Sequence, residues 1–322
     1  MLKFMRLAVL AVTAVLPVLP ASAADSYPNH PVRLIVPFGA GGPADVYARV
    51  LAQHLSEVTK QPFVVENRPG AGALIGTDAV AKSTPDGYTL LVISNTHTTN
   101  ESLIPNKPYE LMRDFVPVAT INYSDLLMVV HPSVEAKTVA EFIGLAKKDP
   151  GKLNYASSGP GTPYHMAGEL FKAMTRTDIV HVPHKASGDA RNSVLAGNVQ
   201  MMFDAVTTMS ALAKGGQVRA LATTGLTRSP LTPDLPTVAE TVPGYEATIW
   251  LGVMAPKGTP AEVISYLNST INKVIELPDV KEAWLKQGAI PLVKTPAEFD
   301  AYLRKDIDKW AEVVKVSGAK IQ

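Results

Sequence analysis

The sequence of 322 residues contains no cysteine and has no excess of charge of either sign. Without cysteine, disulfide bonds, thiolate metal sites and cysteine nucleophiles are excluded. Lysine and arginine number 30 against 29 aspartate and glutamate, which gives a formal net charge of +1. Because nucleic-acid-binding proteins concentrate basic residues, this balance argues against nucleic acid as a partner. The length leaves room for one large domain or two ordinary ones, and the hydrophobic content of 46% is enough to form buried cores.

Long hydrophobic runs are absent too, apart from one at the amino terminus. Lys3 and Arg6 precede the apolar stretch Leu7–Pro20, and Ala21-Ser22-Ala23 has the small-x-small pattern of a cleavage site. A run this short is typical of a secretory signal peptide, since a membrane span needs about 20 apolar residues. We therefore expect residues 1–23 to be removed after Ala23 and the mature chain to be exported to the periplasm.

The rest of the chain alternates strand-like with helix-like runs, which predicts an α/β fold with parallel sheets. Val32–Pro37 and Tyr88–Ser94 are typical of buried strands, and Ala44–Val58 has the apolar spacing of a helix. Near the carboxyl end, Thr259–Glu262 and Thr295–Glu298 have the capping-box pattern, so helices are expected to begin there. We expect these last helices to cover the outside of a domain.

A strand, a glycine-rich turn and a helix that starts with proline occur twice in the sequence. The two turns are Gly39-Ala-Gly-Gly-Pro43 and Ser157-Ser-Gly-Pro-Gly-Thr-Pro163. The backbone N–H groups at a helix amino end are unpaired, and aligned peptide dipoles add about half a positive charge. Because glycine lets an anion approach the backbone, each turn is a candidate site for a carboxylate. The alternative for each is a tight turn with an ordinary helix cap.

Motifs for nucleotide binding and for catalysis are missing from the sequence. The first turn is not followed by the Gly-Lys-Ser/Thr of a P-loop, and Ala44 stands where a dinucleotide motif has its third glycine. No Gly-x-Ser-x-Gly elbow and no His-Glu-x-x-His pattern occurs. We therefore expect no enzymatic activity, no metal and no other cofactor, with an exported α/β hydrolase as the alternative.

Several motifs follow one another in an order that resembles the Bug-type periplasmic solute-binding proteins, the receptors of tripartite tricarboxylate transporters. They are Pro37–Asp45, Val65–Gly72, Pro85–Leu90, Tyr155–Gly159 with His165, Val182–Lys185 and Phe203–Asp204. The resemblance extends over essentially the whole mature chain. It implies the two-domain type II periplasmic-binding-protein fold, a Venus flytrap whose domains are joined by crossover strands. Domain 1 is then expected to contain residues 25–124 and 249–322, and domain 2 residues 125–248.

The resemblance also implies that a small carboxylate, a dicarboxylate or an aromatic acid, binds in the cleft between the domains. The residues expected to contact it are Phe38, Gly39, Ala40, Gly41, Gly42, Asp45, Ser94, Thr96, Ser157, Ser158, Gly159, Gly161, Thr162, His165, His184 and Asp204. His184 stands where the family usually has tyrosine. Our hypothesis is that His184 or His97 contacts a second carboxylate or an aromatic ring of the ligand.

The expected partners are the ligand and the permease subunits of a tripartite tricarboxylate transporter. The receptor itself is expected to be a monomer. A binding protein that signals to a membrane sensor and transports nothing is the alternative.

Overall fold

The computed structural model describes residues 27–184 and 186–318. The predicted signal peptide lies outside these described residues. The strands are β1 Val32–Val36, β2 Phe63–Asn67, β3 Thr89–Ser94, β4 Phe115–Ser124, β5 Leu126–Val130, β6 Asn154–Ser157, β7 Val180–Pro183, β8 Met201–Ala205, β9 Arg219–Thr223, β10 Ile249–Pro256 and β11 Ala289–Pro291. The helices are α1 Pro43–Thr59, α2 Leu74–Ala81, α3 Asn95–Leu103, α4 Leu111–Asp114, α5 Val139–Lys148, α6 Pro163–Thr175, α7 Ser187–Leu195, α8 Val206–Lys214, α9 Ala261–Ile275, α10 Pro278–Lys286 and α11 Pro296–Ser317. The predicted α/β class is confirmed.

Within the described residues the strands form two sheets. The first sheet has the order β11-β4-β10-β3-β1-β2, and the second sheet has the order β7-β6-β8-β5-β9. β1 pairs in parallel with β2 and β3, and β6 pairs in parallel with β7 and β8. In each group the carboxyl ends of the strands therefore meet at one edge of the sheet, where the loops that lead into helices also lie.

The chain passes from the first sheet to the second through a single residue. Asp125 lies between the end of β4 at Ser124 and the start of β5 at Leu126, and β10 returns the chain to the first sheet at Ile249. These crossings fall at the predicted domain boundaries. Sheet membership alone does not define a domain, so the division into two domains stays a prediction.

The central strands are apolar on both faces, because helices cover each sheet on both sides. In β3, Leu90 and Val92 belong to one core cluster of the first sheet, whereas Leu91 and Ile93 belong to the other. β5 divides its residues between two cores of the second sheet in the same way. The alternation follows from the two-residue period of a strand.

Helix α11 contacts both halves of the molecule, which differs from the expectation that the last helices cover the outside of one domain. Phe299 and Leu303 pack into a core of the first sheet, whereas Trp310 and Val313 pack into a core of the second. The helix has 22 residues, so at ~1.5 Å per residue it is long enough to reach both. It therefore ties the two sheets together on the side where it packs.

Of the two capping boxes expected near the carboxyl end, one forms and the other does not. The box that precedes α11 is present, because Thr295 Oγ1 accepts from the Glu298 N–H at 3.2 Å while Glu298 Oε2 accepts from the Thr295 N–H at 2.8 Å. The box before α9 was a wrong prediction. Thr259 Oγ1 donates instead to the Pro256 carbonyl at 2.8 Å, and the helix follows Pro260 without a side-chain cap.

Asp306 on α11 forms a buried hydrogen-bond network with the first sheet. Its Oδ2 accepts from Thr98 Oγ1 on α3 at 2.6 Å and from Trp250 Nε1 on β10 at 3.1 Å. All three residues are buried. Removing the carboxylate leaves the buried Trp250 N–H without a partner, whereas Thr98 Oγ1 keeps the Asn95 carbonyl as an acceptor at 2.9 Å. A buried donor without a partner costs more than the lost bond itself contributes.

We therefore predict that Asp306→Ala lowers the free energy of unfolding by about 2 kcal/mol. Asp308→Ala on the same helix is the matched control, because Asp308 is exposed and should change stability by less than about 0.5 kcal/mol. Urea denaturation followed by circular dichroism measures both variants. Equal destabilisation by the two substitutions would show that the network contributes nothing specific.

Candidate functional site

A cleft of about 610 Å³ lies between the two sheets and is lined by residues from both. The described residues that line it are Phe38, Gly39, Ala40, Gly42, Pro43, Ala44, Tyr47, Ser94, Thr96, Asn122, Ser124, Asp125, Leu126, Ser158, Thr162, Pro163, Tyr164, Ala186, Ala205, Val206, Ile249, Leu251, Gln287 and Gly288. A cleft of this volume matches the size of sites for small organic molecules.

Five helix amino ends meet at this cleft. The residues that immediately precede α1, α3, α6, α7 and α8 all line it: Gly42, Ser94, Thr162, Ala186 and Ala205. The ends of α1, α7 and α8 have no side-chain cap. Because each end carries unpaired N–H groups and partial positive charge, their convergence makes the cleft favourable for an anion.

The two glycine-rich turns recognised in the sequence share two backbone features. We call residues 39–43 the first loop and residues 159–163 the second loop. Gly41 and Gly161 have φ angles of 77° and 75°, which favour glycine because a side chain is strained there. In each loop a backbone N–H also bonds to the carbonyl three residues earlier, at 3.4 Å. The sequence repeat is therefore also a structural repeat.

A side chain in the first turn of the following helix fixes each loop. The Gly41 N–H donates to Asp45 Oδ2 at 2.8 Å, and the Gly161 N–H donates to His165 Nδ1 at 3.0 Å. Asp45 and His165 are buried. Helix α3 uses a related arrangement, in which the Ser94 N–H donates to His97 Nδ1 at 3.1 Å. These side chains hold the loops from behind and do not line the cleft.

Two histidines stack beneath the second loop. The rings of His165 and His181 have centroids 4.1 Å apart, and His181 Nε2 lies 2.6 Å from Ser157 Oγ. Burial lowers the pKa of His165 to about 4, and the Lys172 ammonium lowers it further. Burial also lowers the pKa of His181 to about 3, with a further contribution from His165. Both rings are therefore neutral at pH 7, and His165 can accept the hydrogen bond from the loop.

The residues predicted to bind ligand fall into two groups by position. Those that line the cleft are Phe38, Gly39, Ala40, Gly42, Ser94, Thr96, Ser158 and Thr162. Those that lie behind or beside its lining are Gly41, Asp45, Ser157, Gly159, Gly161, His165, His184 and Asp204. His97 is also completely buried behind it. A direct contact between ligand and this second group stays a prediction.

Asp204 lies beside a neighbouring hollow of about 480 Å³, which Gly41 and Arg191 also line. Its Oδ2 is 3.4 Å from Arg191 Nη1. Burial raises the pKa of Asp204 to about 6, although the Ala205 N–H and Arg191 act against this. The hollow and the cleft share Gly42, Pro43, Tyr47 and Tyr164, so Asp204 borders the same region.

Sequence reasoning missed a group of polar residues at the end of β4. Asn122, Ser124 and Asp125 line the cleft. Buried Asn122 Nδ2 and Asp125 Oδ1 have no hydrogen-bond partner. The available signal was the presence of polar side chains in the otherwise apolar stretch before Leu126. No lysine or arginine occurs among the described lining residues, so the backbone is the main source of positive potential.

The two halves of the molecule touch at the second loop. A Cβ atom added to Gly161 on the second loop would lie 2.5 Å from Leu103 Cδ2 at the end of α3. Leu103 therefore packs directly over the glycine. This contact brings the second loop against the half that carries the first loop.

Comparison with known proteins places this architecture among periplasmic solute-binding proteins. The chain is 35% identical to R. palustris Rpa4515 with adipate, with 92% of this chain and 100% of that chain covered and a TM-score of 0.81. It is 29% identical to MatC (Rpa3494) from Rhodopseudomonas palustris with bound malate, with 89% and 100% covered and a TM-score of 0.76. The periplasmic-binding-protein fold implied by the sequence is thus confirmed.

The family follows from the sequence comparisons. Residues 47–319 match TctC, the tripartite tricarboxylate transporter family receptor. The chain is also 38% identical over 301 residues to the protein BugT of Bordetella pertussis, with 92% of each chain covered. The chain therefore belongs to the TctC family of solute-binding receptors, and the resemblance noted in the sequence is confirmed. No helix in the described part of the chain has the length and apolar content that a membrane span requires.

We predict that the two loops depend on different supporting side chains. His165→Ala should speed amide hydrogen exchange at Gly161 by about tenfold or more, because a hydrogen bond of roughly 1.4 kcal/mol is lost there. Asp45→Ala should do the same at Gly41. Each variant is the control for the other, and nuclear magnetic resonance resolves both amides. Faster exchange at both loops in both variants would indicate general loosening and contradict separate supports.

Proposed function

We propose that the protein is a periplasmic receptor that binds a small carboxylate in the cleft and delivers it to a tripartite tricarboxylate-type permease. The observation that carries this proposal is the convergence of five helix amino ends on one cleft. Backbone amides and helix dipoles attract an anion without a fixed cationic partner. The predicted signal peptide supports export, and the family description supports the permease as partner.

The size and lining of the cleft favour a carboxylate with a hydrocarbon body. Apolar atoms of Phe38, Leu126, Val206, Ile249 and Leu251 form part of its walls. Such walls accept an aliphatic chain or an aromatic ring, whereas the helix ends accept the charged group. Two related structures contain adipate and malate, which are dicarboxylates of this kind.

Ligand binding is proposed to favour the closed arrangement of the two halves. The first loop and α3 follow strands of the first sheet, while the second loop, α7 and α8 follow strands of the second. A ligand that contacts both groups is bound completely only when they approach one another. The equilibrium between open and closed forms therefore shifts towards the closed form on binding.

The hydrolase alternative depends on a nucleophile that substrate can reach. Ser157 Oγ lies 2.6 Å from His181 Nε2, which is the distance expected of a serine–histidine pair. Ser157 is 0% exposed and does not line the cleft. The pair is therefore better placed to support the second loop, since Ser157 Oγ also accepts from the Gly159 N–H at 3.1 Å.

The test is isothermal titration calorimetry of the mature protein with adipate, malate and benzoate. We expect at least one of these acids to bind, and we expect the neutral analogues adipamide and 1,6-hexanediol not to bind. Binding of the neutral analogues with no binding of any acid would contradict the proposal. The same titrations monitored by thermal unfolding give an independent reading, because a ligand that binds only the native state raises the melting temperature.

A charge placed on the first loop should compete with the ligand. Ala40 lines the cleft and is exposed, so a carboxylate there can occupy the helix ends itself. We predict that Ala40→Asp weakens binding of the acid found above at least tenfold, which is about 1.4 kcal/mol. Ala40→Asn is the neutral control of nearly equal size and should weaken binding much less. Equal losses in the two variants would mean that shape, and not charge, decides binding.

A further inference from the structure

Helix α3 consists almost entirely of polar residues and is nevertheless buried. Its sequence is Asn-Thr-His-Thr-Thr-Asn-Glu-Ser-Leu, so Leu103 at its carboxyl end is its one apolar residue. Six of the nine residues are buried. Because buried polar side chains are unfavourable unless they form hydrogen bonds, a helix of this composition has to be held in place by specific partners.

The polar side chains of α3 bind to the elements that connect the two halves. Thr98 Oγ1 donates to Asp306 Oδ2 on α11, the helix that packs on both cores, at 2.6 Å. Asn95 Nδ2 donates to the Thr248 carbonyl at 3.3 Å. Thr248 directly precedes β10, the strand that returns the chain to the first sheet. These bonds fix α3 beside the return crossing and beneath α11.

Leu103 reaches from the fixed helix to the second loop in the other half. A Cβ atom built on Gly161 would lie 2.5 Å from Leu103 Cδ2 and 4.0 Å from its Cγ, so the leucine fills the space that a side chain at this position would need. Gly161 is the residue whose N–H donates to His165 Nδ1, and the next residue, Thr162, lines the cleft. Leu103 is not among the described residues that line the cleft.

The packing of Leu103 on Gly161 depends on how close the two halves are. Leu103 is only 7% exposed in the arrangement described. A movement that separates α3 from the second loop removes the contact and exposes the leucine to water, which is unfavourable for an apolar side chain. The contact therefore stabilises the arrangement in which the halves touch, whether or not a ligand is bound.

We propose that Leu103 is a positioning residue that holds the second loop against the first half and thereby sets the equilibrium between open and closed forms. It acts through Gly161 and does not touch the ligand. A ligand that needs the closed form binds with an affinity reduced by the fraction of molecules that are closed. Leu103 therefore changes the affinity for every ligand by the same factor, which separates it from the residues that line the cleft.

The first experiment measures the equilibrium without ligand. The chain has no cysteine, so Glu57→Cys on α1 and Lys214→Cys on α8, both exposed, allow a pair of dyes to be attached, one to each half. Single-molecule energy transfer in the mature protein then gives the ratio of closed to open molecules. Leu103→Ala should lower this ratio about tenfold, because most of the apolar contact is lost. An unchanged ratio would overturn the proposal.

Two further variants separate the contact from general destabilisation. Leu103→Met keeps the apolar volume and should keep the ratio close to that of wild type. Leu267→Ala removes an equally large side chain from the core of the first sheet, where Leu267 is completely buried on α9. It should lower the melting temperature and leave the ratio unchanged. A ratio that falls equally in Leu267→Ala and Leu103→Ala would overturn the proposal.

A double-mutant cycle tests whether Leu103 acts through Gly161. Gly161→Ala strains the backbone at a φ angle of 75° whichever residue occupies position 103, but its methyl group meets a side chain only when that residue is leucine. Gly161→Ala should therefore lower the ratio of closed to open molecules several-fold more in wild type than in Leu103→Ala. Equal reductions in the two backgrounds would show that the residues are not coupled and would overturn the proposal.

Calorimetry with adipate, malate and benzoate gives a reading of affinity. Leu103→Ala should weaken the binding of each acid that binds wild type by one common factor of about ten, mainly through faster dissociation. Wild-type affinities in this variant, or a change in the order of preference among the acids, would contradict a role outside the cleft that is independent of the ligand.

The outcomes also separate this inference from the proposed function. If no carboxylate binds but the ligand-free ratio depends on Leu103 and on its coupling to Gly161, the proposed function fails and the inference stands. If carboxylates bind and the Leu103 variants change neither the ratio nor the affinities, only the inference fails.

Discussion

The proposed function depends on backbone N–H groups at the amino ends of helices. They can bind an anion only if the loop before each helix has no side chain that blocks its approach. The loop must also be rigid enough to keep the amides in place. Glycine supplies the first property and proline at the helix start contributes to the second. Asp45 and His165 complete the arrangement, because each accepts the N–H of a glycine with positive φ from behind the loop.

The division of these helix ends between two sheets connects the fold to the function. α1 and α3 belong to the first sheet, and α6, α7 and α8 belong to the second. A bound carboxylate can therefore accept hydrogen bonds from amides of both halves. Its negative charge then stabilises the arrangement in which the two halves are close together. The connection at Asp125 and the packing of α11 on both cores limit how far the halves can separate.

The sequence predicted those elements whose structure is decided by residues close together in the chain. The apolar strands and the two glycine-proline loops were found because their signals lie within about ten residues. The starts of α7 and α8 at Ala186 and Ala205 were missed, since neither has a glycine turn or a capping side chain. Asn122 and Asp125 were missed because their position in the cleft depends on where the chain crosses between the sheets. For His165 the residue was identified, but its orientation towards the loop depends on packing against His181.

A cleft that binds through backbone amides recognises the carboxylate group and little else. Every carboxylic acid of suitable size offers that group, so the helix ends alone cannot separate one acid from another. Discrimination then requires a side chain that makes the wrong ligand unfavourable, as well as contacts that favour the right one.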